Sequence, residues 1–320
     1  MTLRSVIIGT GGYLPQQKMT NDDLSKTLDT SHEWILERTG ISARHIAAPG
    51  EYTSDLATKA SQRALEAAHM EPHDIDMIIL ATATPDHTFP STATRVQSKL
   101  GMTKGFAFDQ AAVCSGFVFA LATADAYLRQ GMAKRALVVG SETMSRIVDW
   151  NDRSTAVLFG DGAGAVVLEA QSSTTRGIIG SLLRTDGRGY DDLYVNGGPS
   201  TTQTSGTVQM NGREVFRNAV HRLGEAVEDI LKMYDISQEE LDWLVPHQAN
   251  KRIIDATAKK LGLPQTKVIH TGADQANTSA ASVPLALDEA IRDGRIQQGD
   301  LVLLEAFAGG FAWGSNLIRM

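Results

Sequence analysis

The amino-acid sequence predicts an α/β protein, and three observations carry that prediction. Short apolar runs alternate with longer amphipathic segments along all 320 residues, the pattern of strands covered by helices. No Pro- or Ser-rich tract reads as a long linker. A faint internal repeat runs through the chain: Pro72–Ile79 echoes Gln238–Val245, with Asp242 following Asp76 by 166 residues. The helix through Asp125 leads to Leu137-Val138-Val139, and the helix through Asp288, 163 residues later, leads to Leu301-Val302-Leu303. In that register Asn277 falls opposite Cys114. Two similar halves meeting at a cleft would bring these positions together; chance likeness between two strand–helix units would not.

In chain order, Val6–Gly9 reads as a first strand that breaks at its glycine. A helix over Thr53–Ala68, a strand Met77–Ala81, a helix Ser91–Leu100 and a strand Gly105–Asp109 follow. Ser115–Gln130 is predicted helical because Phe117, Leu121, Ala124 and Leu128 recur at spacings of four, three and four. Strands Ala136–Gly140 and Ala163–Glu169 come next, and the polar stretch Asn196–Thr207 reads as a surface loop. The remainder reads as helix Arg213–Tyr234, strand Leu241–Pro246, helices Lys251–Leu261 and Ala280–Asp293, and strand Leu301–Phe307. The alternation predicts parallel strands covered by helices.

Composition narrows the function. One cysteine excludes an intramolecular disulfide framework and argues for a reducing compartment, most simply the cytoplasm. The first residues show no secretory apolar region, and no apolar run approaches a membrane span. A net charge of −7 argues against general nucleic-acid affinity. The histidines are scattered without metal-ligand spacing.

The single cysteine stands where a strand hands over to a helix. A thiol at a helix N-terminus meets unpaired N–H groups and the positive end of the helix dipole, which favours the nucleophilic thiolate. The bland alternative is an inert buried thiol. In the second half, His247-Gln248-Ala249-Asn250 follows an apolar strand, Asn277-Thr278-Ser279-Ala280-Ala281-Ser282 opens a helix, and Gly309-Gly310 ends another strand. Strand ends are where open α/β sheets hold ligands. Singly, each has a structural explanation: a satisfied strand-end histidine, an N-cap asparagine and a tight turn. Gly160-Asp161-Gly162-Ala163-Gly164-Ala165 invites a dinucleotide reading, but it precedes a strand rather than a helix.

Together, Cys114 in Ala-Ala-x-Cys-x-Gly-Phe, His247 in His-Gln-Ala-Asn and Asn277 in Asn-Thr-Ser-Ala-Ala-Ser resemble the Cys-His-Asn triad of the β-ketoacyl-acyl-carrier-protein synthase III family. The resemblance extends from Gly9–Pro15 through Ser31–Ile35, Arg38–Ile41 and Phe159–Gly164 to Trp313-Gly314-Ser315. It implies a thiolase-like fold of two βαβαβαββ halves in a layered α-β-α-β-α core, residues 1–172 carrying the nucleophile and 173–320 the histidine and asparagine. It implies an acyltransferase that loads a short acyl group from acyl-CoA onto Cys114 and condenses it with malonyl-acyl carrier protein. The chemistry stands without the family name: a thiolate accepts the acyl group, and two neutral donors hold an enolate after decarboxylation.

The resemblance assigns further roles. The N–H groups of Cys114 and Gly309 would form the oxyanion hole. Trp34 and Arg153 would sandwich the adenine of coenzyme A, with Thr30 and Arg38 nearby. Phe89 would close the acyl pocket of a neighbouring subunit, implying a homodimer. Arg213, Lys251, Arg252, Lys259 and Lys260 would form a basic patch for acidic acyl carrier protein; the bland alternative is a solvated face. No metal or redox cofactor is implied.

The sequence also departs from the family pattern. Val113 and Ser115 flank the nucleophile where many relatives have alanine. Ala276 replaces a usual glycine, which questions any need for positive φ there. Ala308 and Ala312 replace a glycine and a threonine. A related Cys-His-Asn condensing enzyme of a quinolone, polyketide-starter or olefin pathway, a silent acyl-CoA-binding homologue and a hydrolase are the competing readings.

Overall fold

A computed structural model describes residues 3–172 and 175–320. Residues 1–2 and 173–174, the latter pair adjoining the expected boundary between halves, lie outside the described residues. The first sheet holds β1 (Leu3–Tyr13), β2 (Met77–Ala81), β3 (Phe106–Gln110), β4 (Arg135–Thr143) and β5 (Asp161–Ser172). Its order is β1-β5-β4-β2-β3. The second holds β6 (Gly177–Thr185), β7 (Trp243–Pro246), β8 (Leu301–Ala308) and β9 (Ala312–Arg319), in the order β7-β8-β9-β6. Read from the other edge, that is β6-β9-β8-β7, and an isolated parallel bridge from Leu244 to Val268 continues it as β3 continues the first sheet.

Seven helices matter here: α1 (His32–Thr39), α2 (Thr53–Ala67), α3 (Thr92–Lys99), α4 (Gly116–Arg129), α5 (Gly212–Met233), α6 (Lys251–Leu261) and α7 (Ser282–Arg292). Side-chain alternation along the strands sorts them into layers. Met77, Ile79 and Ala81 face a core shared with Phe117, Leu121 and Leu128 of α4, with Val283 and Leu287 of α7, and with Val302 and Leu304 of β8. Ile78 and Leu80 face the other way, onto α2 and α3. Leu301 and Leu303 of β8 likewise pack against α5 and α6. The result is the layered α-β-α-β-α arrangement of the thiolase-like fold. α4 and α7 lie between the sheets, each fully buried Leu or Phe there contributing about 1.5–3 kcal/mol.

The expectation of parallel strands holds for only part of each sheet. β2 pairs in parallel with β3 and β4, and β7 with β8. β5 is antiparallel to β1 and β4, and β9 to β8 and β6. β8 and β9 are separated by only residues 309–311, which can make only a reversal. β6 and β9 were also missed as strands.

The repeat has counterparts in the bonding. Asp76 Oδ2 accepts from the N–H groups of Lys134 and Arg135, and Asp242 Oδ2 accepts from Leu301 N–H at 2.7 Å. Asp125 pairs with Arg129 and Asp288 with Arg292, both at 2.9 Å. The equivalence of Cys114 with Asn277 needs correction. It follows from those helix ends, but the 3-10 turns ahead of α4 and α7 start at Val113 and Ser279. In the turn register Ala280, not Asn277, answers to Cys114, because α7 is three residues shorter than α4.

Candidate active site

Cys114 lies in the turn between β3 and α4, 5% exposed, with Val113, Phe119, Ala308 and Ala312 packed around it. Burial pushes its thiol up to about 12, the Ser279 hydroxyl opposes the rise by hydrogen bonding, and Glu142 adds to it. The sequence expectation of a depressed thiol is therefore not what this site shows. The helix N-terminus is in place, and loss of water acts against it.

His247 follows β7, and its N–H donates to Glu305 C=O at 2.8 Å. Its Nδ1 meets Ser282 Oγ at 2.5 Å, and Gln248 N–H also donates to that oxygen. Ser282 Oγ can give its single proton to Nδ1, the arrangement in which the imidazole proton sits on Nε2. Burial holds the ring neutral by pushing its pKa down to about 3. A neutral ring with Nε2–H is a hydrogen-bond donor without a net charge.

Asn277 is held by its backbone, with N–H donating to Leu158 C=O at 2.9 Å and C=O accepting from Gly160 N–H at 3.1 Å. Its Oδ1 accepts from Ser279 N–H at 2.9 Å, leaving Nδ2 as the free donor. Ala276 before it has φ 59° and ψ −164°. The replacement of glycine thus did not remove the need for positive φ; it left alanine in a region that stores roughly 1–3 kcal/mol of strain. Gly309 follows Ala308 at the end of β8, and a side chain there would meet Leu193 C=O at 2.3 Å.

A cavity of about 360 Å³ contains Cys114, His247 and Asn277 at one end and Trp34, Arg38, Arg153 and Arg252 at the other, with Val215, Phe216, Leu223 and Phe307 along its wall. The indole of Trp34 lies against two guanidinium groups, Arg38 at 4.6 Å and Arg153 at 4.8 Å from the ring centre. A base between Trp34 and Arg153 needs roughly 7 Å, twice a carbon–carbon contact distance. The slot is closed in this conformation, and Arg153 is held by Asp29 C=O at 2.6 Å. Thr30 does not line the cavity; its hydroxyl is buried without a hydrogen-bond partner among the described residues.

The remaining expected residues disperse. Phe89 is 84% exposed, beside a separate open depression of about 710 Å³ lined by Thr84–Thr88 and residues 203–205. Arg213, Lys251, Arg252, Lys259 and Lys260 are all exposed. Lys251 and Arg252 open α6 next to the cavity mouth, with Asn250 capping the helix through Ile253 N–H. Lys259 and Lys260 lie about 12 Å further along the helix, where Lys260 bonds His221 C=O of α5. They do not join Lys251 and Arg252 at the mouth. Asp161, in the glycine-rich run, accepts from Ala47 and Ser145 N–H groups and the Ser145 hydroxyl, a latch between segments.

Sequence reasoning missed Ser279, Ser282 and Glu142. Both serines stand in the quoted Asn-Thr-Ser-Ala-Ala-Ser segment, and their hydroxyls face different groups, Ser279 meeting Glu142 and Ser282 meeting His247. Glu142 is a charged residue two positions beyond the apolar run 136–140, and that contrast was the available signal.

Fold and site together define a thiolase-fold condensing acyltransferase with a Cys-His-Asn set. Residues 108–187 match the family described as 3-oxoacyl-[acyl-carrier-protein] synthase III, and residues 231–320 its C-terminal part. The β-ketoacyl-[acyl-carrier-protein] synthase III of Paramagnetospirillum magneticum is 60% identical, with all of both chains covered. The crystal structure of 3-oxoacyl-[acyl-carrier-protein] synthase III from Aquifex aeolicus superposes with TM-score 0.94 at 45% identity, covering 99% of this chain and 100% of that one. The priming β-ketosynthase of the R1128 polyketide pathway gives 0.93 at 34% identity, covering 99% and 96%. The chain belongs to the β-ketoacyl-acyl-carrier-protein synthase III family. Among the described residues no helix is long and apolar enough to cross a membrane, and no group of His, Cys, Asp or Glu is arranged to hold a metal ion.

Proposed function

We propose that this condensing acyltransferase starts fatty-acid synthesis by joining an acetyl group to malonyl-acyl carrier protein, with Cys114, His247 and Asn277 as its working side chains. The observation that carries the proposal is one cavity holding the cysteine beside two neutral donors, His247 Nε2 and Asn277 Nδ2. In the first step Cys114 sulfur attacks the acetyl-CoA thioester, and the N–H groups of Cys114 and Gly309 hold the oxyanion. In the second, malonyl thioester loses carbon dioxide, and the two donors hold the enolate oxygen. Neutral donors suit this step, since they stabilise the developing charge without binding the malonyl carboxylate as an ion pair. The enolate carbon then attacks acyl-Cys114, releasing the 3-ketoacyl thioester.

Every step uses side chains of this chain and the two thioesters. The adenine end of CoA is assigned to Trp34, Arg38 and Arg153, with Thr30 behind them, and entry requires Arg153 to leave the indole face. Acyl carrier protein is assigned to Lys251 and Arg252 at the mouth; Arg213, Lys259 and Lys260 would supply longer-range attraction. Exposed Phe89 is assigned to the acyl pocket of a second copy in a homodimer. The cytoplasmic location suggested by the single cysteine and the division near residue 172 belong to the same proposal.

Intact-protein mass after incubation with acetyl-CoA tests it. One acetyl adduct is expected, absent in Cys114→Ser, and discharged as malonyl-acyl carrier protein is added. An adduct that malonyl-acyl carrier protein leaves untouched would refute the acceptor, and an adduct formed only with longer acyl-CoA would refute the acetyl primer.

A further inference from the structure

We propose that Glu142 and Ser279 are positioning residues for Asn277, fixing which end of its side-chain amide faces the substrate. The inference rests on the reading of Asn277 as a donor to the enolate. Leu158 C=O and Gly160 N–H clamp the Asn277 main chain, but a main-chain clamp leaves the amide free to turn over. Turned over, Asn277 would present Oδ1, an acceptor, where the reaction needs a donor. Ser279 N–H selects between the two orientations, because a backbone N–H can only donate. It donates to Asn277 Oδ1 at 2.9 Å, which leaves Nδ2 as the free end.

Aiming that N–H carries a conformational cost. Ser279 has φ 50°, left-handed backbone that a residue with a Cβ seldom adopts. Such a residue persists only where its surroundings hold it. The Ser279 hydroxyl supplies a hold from outside the turn, donating to Glu142 Oε1 at 3.0 Å. Glu142 is completely buried on β4 of the first sheet, so a carboxylate of one half fixes a turn of the other. Gly140, two residues earlier on the same strand, permits the approach, since a Cβ there would collide with Ala280 C=O.

Glu142 is itself fixed. Its carboxylate also accepts from the N–H groups of Ala83 and Thr84, from Thr82 Oγ1 at 3.0 Å and from Thr84 Oγ1 at 2.6 Å. The two N–H groups can only donate, which suits the ionised, acceptor-only form. Burial pushes the carboxyl up, while these donors and Ser279 push it back down. The rival reading is that Glu142 only fastens the 82–84 turn, the source of four of its five donors. The two readings part at Ser279→Ala, which leaves those four in place and removes only the hold on the second turn.

The test is a double-mutant cycle in the full-length protein. Carbon dioxide release from malonyl-acyl carrier protein and acetyl loading of Cys114 are measured on the same preparations. Ser279→Ala is expected to slow release about tenfold, a fraction of the loss from deleting a preorganised donor outright, and to change loading less than about twofold. In an Asn277→Ala background no amide is left to aim, so Ser279→Ala should slow release less than about twofold further. Glu142→Gln, whose amide would donate to Ser279 Oγ instead of accepting from it, is run through the same cycle, so the result does not hang on one variant folding. Unchanged release in Ser279→Ala supports the rival and overturns the inference. Loss of loading that matches the loss of release in both variants overturns it too. A further slowing of about tenfold in the Asn277→Ala background faults the positioning role alone. Asn277→Ala releasing carbon dioxide as fast as wild type would instead fault the reading of Asn277, and the positioning role with it.

Discussion

At the head of α4, Cys114 follows Val113 at φ 48°, whereas at the head of α7, Asn277 stands between Ala276 at φ 59° and Ser279 at φ 50°. Both turns hold non-glycine residues in left-handed backbone, and both put a reactive group just before a buried helix. Their surroundings differ. The first turn is lined by apolar atoms of Val113, Phe119, Ala308 and Ala312. The second is rich in polar contacts: Asn277 Oδ1 accepts from Ser279 N–H, the Ser279 hydroxyl donates to Glu142, and Ser282 meets His247. In the proposed function one half thus supplies a desolvated nucleophile and the other supplies aimed donors, with Ser279 the hydroxyl that reaches across to Glu142. A duplicated fold can divide a two-step reaction in this way because each half needs only one kind of environment.

The strongest way to break that comparison is to remove a donor. His247→Ala or Asn277→Ala is expected to slow malonyl decarboxylation by about 10²–10³-fold, the range for losing one preorganised donor to a developing oxyanion. Acetyl loading of Cys114 should be far less affected. Carbon dioxide release and acyl-enzyme mass, measured on the same preparations, separate the two steps, and loss of loading with decarboxylation intact would reverse the assignment.

Buried carboxyls offer a second contrast. Glu142 on β4 has five donors, whereas both oxygens of fully buried Glu305 on β8 have no hydrogen-bond partner among the described residues. Burial pushes Glu305 up to about 8 from an ordinary 4.5. A folded pKa above the unfolded one gives stability that is fully present below about pH 4.5 and is lost as pH rises toward about 8. Glu305→Gln should therefore unfold at higher denaturant concentration than wild type at pH 8, by about 2–4 kcal/mol, with the gap narrowing toward pH 5. An equal gap at both pH values would show that the effect is packing and not ionisation.

The smallest effect sharpens the account of the second turn. Ala276→Gly removes a Cβ from φ 59°, relieving strain at the expense of a more flexible unfolded chain, for a net gain of about 1 kcal/mol. A small rise in melting temperature is expected, and a fall would mean that the alanine methyl packs more favourably than its backbone is strained.

Much of this molecule was legible before any coordinates. Met77–Ala81 and Lys251–Leu261 were placed to the residue, since one is a short apolar run and the other an amphipathic helix with Gly262 as its left-handed cap. The strands β6 and β9 escaped because Gly180-Ser181 in one and Gly314-Ser315-Asn316 in the other interrupt their apolar runs. The triad was readable as motifs, while the Cys114–Asn277 equivalence failed through the three-residue difference between α4 and α7. Lys259 and Lys260 were grouped with Lys251 by closeness in sequence, although a helix carries them about 12 Å apart.

Residue type and spacing determined the α/β class, the repeat, the family and the candidate reactive groups, because those depend on local periodicity and on side chains that are what they are wherever they lie. Only the tertiary structure decided that the Cys114 thiol is raised, that His247 is a neutral donor and that Glu142 is the carboxylate within reach of Ser279. Ser279 lies 165 residues from Cys114 and 137 from Glu142 in the chain. Desolvation and hydrogen bonding act on neighbours in space, and folding, not sequence proximity, chooses those neighbours.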